Sequence, residues 1–373
     1  MRAFWPSVSG LARPTVRLGA GLLATSWFLA AAFCPVRAAP VLDPRLPDYA
    51  PVAENLTGVL HVVGSDTMDV VVFGWIQLFR KYHPGVHVTM EARSSLAACP
   101  ALLSGAAHIG PMTRRPPAED IAAFEAKFGY KPLILRVGGG SYAVEDHAHA
   151  IAVYVNSANP LQRLTLAQLD AIYSSLRKRG ASAQIATWGQ LGLTGEWADR
   201  PVVPYAARRP NGIVTAFQER VLLMGDFRAT IRERTNAPQT RVLTAVVAAV
   251  AEDSNGIGYA GFAQGNSAVK SLPIAVTETG PYVAGTLETV IDQSYPLTRS
   301  VYIAINKAPG QALAPNVREF LRLVLSRPGQ QIVEAEGNFL PLPAAIVSRE
   351  LNKLEADTNE PATSPNATTG PDA

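Results

Sequence analysis

Val59-Leu60-His61-Val62-Val63-Gly64-Ser65-Asp66-Thr67-Met68, followed by the amphipathic run 69–82, is the stretch from which the fold can be read. A short apolar run ending in a Gly–Ser turn predicts a strand over 59–63, and the longer run predicts a helix over 69–82. The alternation continues outward with strand 86–90, helix 97–104, helix 118–128, strands 134–138 and 149–155, helix 165–173 and strand 202–206. Helices 214–224 and 243–251 follow, then a strand opening at Gly256-Ile257-Gly258-Tyr259, strand 300–305, and helices 317–325 and 329–336. This rhythm predicts an α/β protein with mainly parallel sheets. No repeat with a period of roughly 20 to 50 residues is visible, which argues against a solenoid or propeller.

The chain has 373 residues, 48% hydrophobic and 17% charged, enough for two ordinary domains and too apolar for a disordered protein. The first 39 residues hold Arg2, Arg13, Arg17 and Arg37 but no acid, an apolar core over 18–33, and small residues around Ala38-Ala39. That is the pattern of a cleaved export signal, and the apolar core is shorter than the roughly 20 residues of a spanning helix. Without this segment, 29 basic residues stand against 30 acidic ones, so nothing in the charge favours a nucleic-acid partner. Cys34 leaves with the signal, and Cys99 then has no intrachain partner and reads as a small buried apolar group. Residues 40–57, rich in Pro, Asp and Ala, read as a tether, and 351–373 as a disordered tail whose last stretch, from Asp357, has no bulky apolar residue.

The chemistry concentrates at strand-to-helix turns. Gly64 permits a tight turn, and Ser65 and Thr67 set hydroxyls beside the free N–H groups of a helix start, where donors and the helix dipole together attract anions. Helix capping alone accounts for one such turn. The construction recurs at Ser94-Ser95 after the second strand, and again at Arg208-Arg209-Pro210-Asn211-Gly212 before the helix carrying Phe217. Guanidinium forks match tetrahedral oxyanions, so three converging turns point to an oxyanion site.

These turns, with Leu102-Leu103-Ser104-Gly105-Ala106-Ala107-His108-Ile109-Gly110-Pro111-Met112-Thr113-Arg114, Ala152-Val153-Tyr154-Val155-Asn156, Ile172-Tyr173, Trp188, Tyr295-Pro296-Leu297-Thr298-Arg299 and Gly329-Gln330-Gln331-Ile332-Val333, resemble in order and spacing the periplasmic phosphate-binding proteins of bacterial ABC importers over residues 58–345. The resemblance implies a two-lobe periplasmic-binding-protein fold, each lobe a mixed, mainly parallel sheet flanked by helices and joined by crossover hinge strands. Lobe 1 would take 58–148 with 300–350, and lobe 2 would take 149–299. Carried over by position, Ser65, Thr67, Ser95, Thr113 and Arg114 would bind the oxyanion from lobe 1, and Arg208, Asn211 and Gly212 from lobe 2. It further implies a monomer that delivers phosphate to a membrane permease, with no cofactor, metal or catalysis. The chain departs from the family at three places: Ser94-Ser95-Leu96-Ala97-Ala98 lacks the usual glycines, Asn211-Gly212-Ile213 stands where Ser-Gly-Thr is usual, and Thr113 stands where an acid can accept the phosphate proton.

Two alternatives follow. A phosphatase-like hydrolase would use Ser65 or Thr67 but needs a metal or base beside it, and the lost hydroxyls leave open a protein whose lobes serve as a partner platform. Gly138-Gly139-Gly140-Ser141 lacks the Lys of a nucleotide loop and reads as a flexible connector near the lobe crossing. His147 and His149, two apart on a strand, read as satisfied or solvent-facing, and Arg228, Arg232, Arg234 and Arg241 as a solvated face.

Overall fold

The structure, a computed structural model, describes residues 42–356. The expected export signal and the stretch from Asp357 onward lie outside the described residues. The chain opens with β1 (Gly58–Ser65), α1 (Asp69–Tyr82), β2 (Val86–Arg93), α2 (Ala98–Ser104), β3 (Gly110–Met112), α3 (Ala118–Phe128) and β4 (Leu133–Gly139). It continues with β5 (Ile151–Asn156), β6 (Leu164–Thr165), α4 (Leu166–Tyr173), β7 (Val203–Ala207), α5 (Gly212–Arg220), β8 (Arg232–Arg234), α6 (Val242–Glu252), β9 (Gly256–Gly261), β10 (Val269–Ser271), β11 (Ile274–Ala275) and α7 (Leu287–Ile291). It ends with β12 (Ser300–Ile305), α8 (Pro315–Val324), α9 (Arg327–Glu336) and α10 (Ala344–Glu355).

Local chemistry accounts for these elements. In α1, Asp69 sits in the first turn and Arg80 and Lys81 in the last, each complementing the helix dipole, while Val71, Val72, Trp75, Ile76 and Phe79 form the buried stripe. A capping box starts α4, with Gln168 N–H donating to Thr165 Oγ1 at 3.1 Å and Thr165 N–H to Gln168 Oε1 at 2.9 Å. β12 is buried along its whole length, as its unbroken apolar run requires of a central strand.

Two sheets result. The first runs β2-β1-β3-β12-β4, with β1 joined to the β3 segment through a parallel Val62–Ile109 bridge, and β12 antiparallel to both of its neighbours. The second runs β10-β5-β9-β7-β8, in which only β5 opposes the others. In each sheet four of five strands share one direction, the mixed but mainly parallel pattern expected. Separate cores back the two sheets. One is built on Trp75, Phe79 and Phe320, and the other on Tyr173, Phe217 and Tyr259, whose Phe217 and Tyr259 rings stack at 3.9 Å.

The two connectors between the sheets run side by side. Gly140 N–H donates to Arg299 O at 2.8 Å, and Ile151 N–H to Leu297 O at 3.0 Å. The glycine run is therefore not a loose connector. Gly138 and Gly139 belong to β4, and a Cβ on Gly140 would lie 2.0 Å from Ala148 O, so close backbone approach is what requires glycine there.

Residues 42–57 are also no tether. Leu46 and Leu56 are buried, Arg327 N–H donates to Pro47 O at 2.7 Å, and Ala344 N–H donates to Asp43 Oδ2 at 3.0 Å. The Arg45 side chain holds the Asp43 carboxyl well below its ordinary range. Scattered apolar residues without periodicity gave no sign of this packing. The expected tail likewise begins too early, because α10 continues to Glu355 and buries Leu354. Its Glu350 forms a buried ion pair with Arg136 of β4 at 3.2 Å, tying the helix to the sheet. Among the described residues no helix is long and apolar enough to cross a membrane.

Candidate functional site

Four of the eight expected ligands meet in one cleft. It encloses about 380 Å³ and is lined by Thr113 and Arg114 from the loop after β3, by Asn211 and Gly212 at the start of α5, and by Arg241, Arg299 and other residues. Asn211 caps α5, its Oδ1 accepting from Ile213 N–H at 3.0 Å, so the helix opens toward the cleft. The helix begins two residues before its sequence-expected start, because Gly212 fits the first turn once Asn211 caps it.

The other expected ligands sit elsewhere. Ser95 Oγ accepts from Thr113 N–H at 3.0 Å and lies 3.1 Å from Thr113 Oγ1, so it braces the loop that presents Thr113 and Arg114. Ser65 is 2% exposed, makes no side-chain cap bond and does not line the cleft. Thr67 is also outside the lining, and its N–H is taken by Asp66 Oδ1 at 2.9 Å. The Arg208 side chain is exposed and outside the lining, while its backbone N–H donates to Arg234 O at 2.8 Å. Arg209 pairs with Glu233 at 3.5 Å and lies over the Phe227 ring.

Tertiary structure adds residues that sequence reading passed over. Glu145, Asp146 and His149 come from the first connector, Asn236 and Arg241 from the approach to α6, Val242 from its first turn, and Arg299 from the second connector. Arg241 is matched by Glu145, which also accepts from Gln264, and lies 3.4 Å from Asp146. The arginine cluster is thus not one solvated face: Arg241 enters the cleft, and Arg228 donates to Ile185 O and Val202 O. His147 and His149 precede the strand rather than sharing its face. His149 is buried, which lowers its pKa with help from the nearby Arg299 charge, so it is neutral near pH 7. Among the described residues no group of three metal-ligating side chains stands together.

Arg114 and Arg299 differ from Arg241. Neither guanidinium makes a hydrogen bond or ion pair within the described residues. Burial pushes the Arg299 pKa down to about 10, and the neighbouring Arg220 charge adds to the shift. One signal for Arg299 was present in the sequence: a lone cation directly before the strand Ser300-Val301-Tyr302-Ile303-Ala304-Ile305. Two guanidiniums with no direct ion pair, beside an open helix N-terminus, make a surface that can take up an oxyanion.

Comparison with known proteins identifies the family. A family model described as a PBP superfamily domain matches residues 51–328. The phosphate-binding protein PstS of Pseudomonas aeruginosa is 36% identical over 333 residues, covering 89% of this chain and 98% of that relative. Protein SphX of Synechococcus elongatus is 26% identical over 298 residues, covering 79% of this chain and 80% of its own length. The crystal structure of PstS from Borrelia burgdorferi superposes with a TM-score of 0.51 at 18% identity, covering 76% of this chain and 98% of that one, and shows the shared two-lobe fold. The chain therefore belongs to the PBP superfamily, within the family of the phosphate-binding proteins.

Proposed function

We propose that this protein is an exported binding module that captures inorganic phosphate between two lobes and passes it to the membrane permease of an ABC importer. The observation that carries the reading is the pair Arg114 and Arg299, two guanidiniums with no ion pair or hydrogen bond within the described residues, lining the cleft onto which α5 opens. The relatives named as phosphate-binding proteins favour phosphate over other oxyanions. In this reading the lobes, 58–148 with 300–350 and 149–299, close about the paired connectors. Thr113, Arg114, Asn211 and Gly212 replace the ion's water shell, and Ser95 holds Thr113 in place. The chemistry is binding only: Ser65 and Thr67, the hydroxyls a hydrolase would use, lie outside the cleft lining.

Isothermal titration of the purified protein, dialysed free of anions, tests this with phosphate and then sulfate. Micromolar or tighter phosphate binding with sulfate excluded is the expected result. Absence of heat from either anion at millimolar concentration would overturn the reading.

A further inference from the structure

A smaller chamber opens beside the cleft, sharing Thr113, Arg114, Gly212 and Arg299 with it. Its own walls add Arg115, Arg220, Glu219 and Ser300, and it encloses about 30 Å³. One water takes roughly 10–15 Å³ on this measure, so the chamber has room for about two waters and opens into the wider cleft through the residues the two share. Four guanidiniums therefore border a space of that size with a single carboxylate among them. Arg115 lies over the Tyr302 ring, while the like charges of Arg220 and Arg114 act on Arg299 beside the void.

Ser300 supplies an independent sign. It is 2% exposed, it lines the chamber, and its Oγ has no hydrogen-bond partner. Buried hydroxyls are nearly always paired, because burial strips them of water without return. An unpaired one, placed beside the Arg114 and Arg299 guanidiniums, neither of which is hydrogen-bonded or ion-paired within the described residues, is what a site built for an absent ligand looks like.

We propose that this chamber is a phosphoryl pocket in which the Arg299 guanidinium and Ser300 Oγ, with Arg114, hold the oxygens of a tetrahedral dianion, the wider cleft being its entrance. The proposal deepens the reading above and rests on it. It supplies donors in place of the loop hydroxyls that Asn211-Gly212-Ile213 does not provide. It also places two of the ligands on the hinge: Gly140 N–H bonds to Arg299 O, and Ser300 pairs with Gly139 of β4. A bound anion would thus grip the segment about which the lobes move.

The test is titration of the full chain with inorganic phosphate in three variants, alongside thermal melts in anion-free buffer. Arg299→Gln is expected to weaken phosphate binding at least about 30-fold, the loss of a desolvated charge-assisted contact, and Ser300→Ala about 5-fold. Arg93→Gln, an exposed control, should stay within about twofold. Without anions Arg299→Gln should melt at or above the wild-type temperature, since it relieves like-charge crowding, and added phosphate should stabilise the wild type but not the variant. A variant that melts lower without anions would mark Arg299 as a structural strut and overturn the pocket. Unchanged phosphate affinity in Arg299→Gln would also overturn it while leaving the phosphate reading intact, whereas a wild type that binds no phosphate would remove both.

Discussion

The turn from β1 into α1 and the turn from β7 into α5 are both strand-to-helix turns that contain a glycine, yet they end in different places. At the first, Gly64 is pressed onto β3 so tightly that a Cβ would lie 2.2 Å from Pro111 O, and Ser65 is buried beneath it. At the second, a Cβ on Gly212 would meet nothing within 4 Å, and the N-terminus of α5 opens into the cleft. Free N–H groups exist at every helix start. They become a binding surface only where the neighbouring strand stays back, and β3 stays back from α5 but not from β1.

The contrast can be broken at its strongest point first. Gly64→Ala should cost about 3 kcal/mol of stability, because backbone rather than a flexible side chain must move. Denaturant melts check this, and a loss under about 1 kcal/mol would show that the first turn is less tightly packed than described. Next, Arg114→Gln should weaken phosphate binding by about 2 kcal/mol, measured by titration, while Ser65→Ala at the closed turn leaves the affinity unchanged. Equal losses in both variants would mean that both turns reach the ion.

Asn211→Ala should remove about 1 kcal/mol through loss of the α5 cap, seen as a small drop in melting temperature. A smaller effect comes from pH. Burial lowers the pKa of His149 in the folded state from its ordinary 6.5, so the folded protein holds it neutral while the unfolded chain takes up a proton below that pH. The stability it contributes is intact above pH 6.5 and is lost as pH falls below it toward the depressed folded value. Melting temperatures measured between about pH 7.5 and 5 should therefore decline toward acid, and His149→Gln should flatten part of that decline. An unchanged slope would place the effect on His83 and His108, whose pKa values burial also lowers.

Much of the molecule was legible because its signals are local. The helix over 69–82, the helix over 118–128 and the strand over 300–305 stand where periodicity and end residues set them, since burial of one face is written into the spacing of apolar residues. The packed segment 42–57 and α10 were not legible, because their buried residues, Leu46, Leu56 and Glu350, find partners far along the chain. The Arg208 turn carries the residues of an anion site, but β7 and β8 turn the Arg208 side chain outward. Arg241 and Arg299 offered at most a faint local sign, and they reach the cleft because α6 and the second connector converge on it.

The sequence by itself determined the α/β alternation, the kinship with phosphate-binding proteins, and the third loop and α5 start that supply Thr113, Arg114, Asn211 and Gly212. Tertiary structure alone decided which helix ends stay open, which arginines form no ion pair and where Ser300 loses its partner. The reason is physical: propensity and periodicity act over a few residues, whereas desolvation and unpaired charge depend on every group that folding brings within a few ångströms.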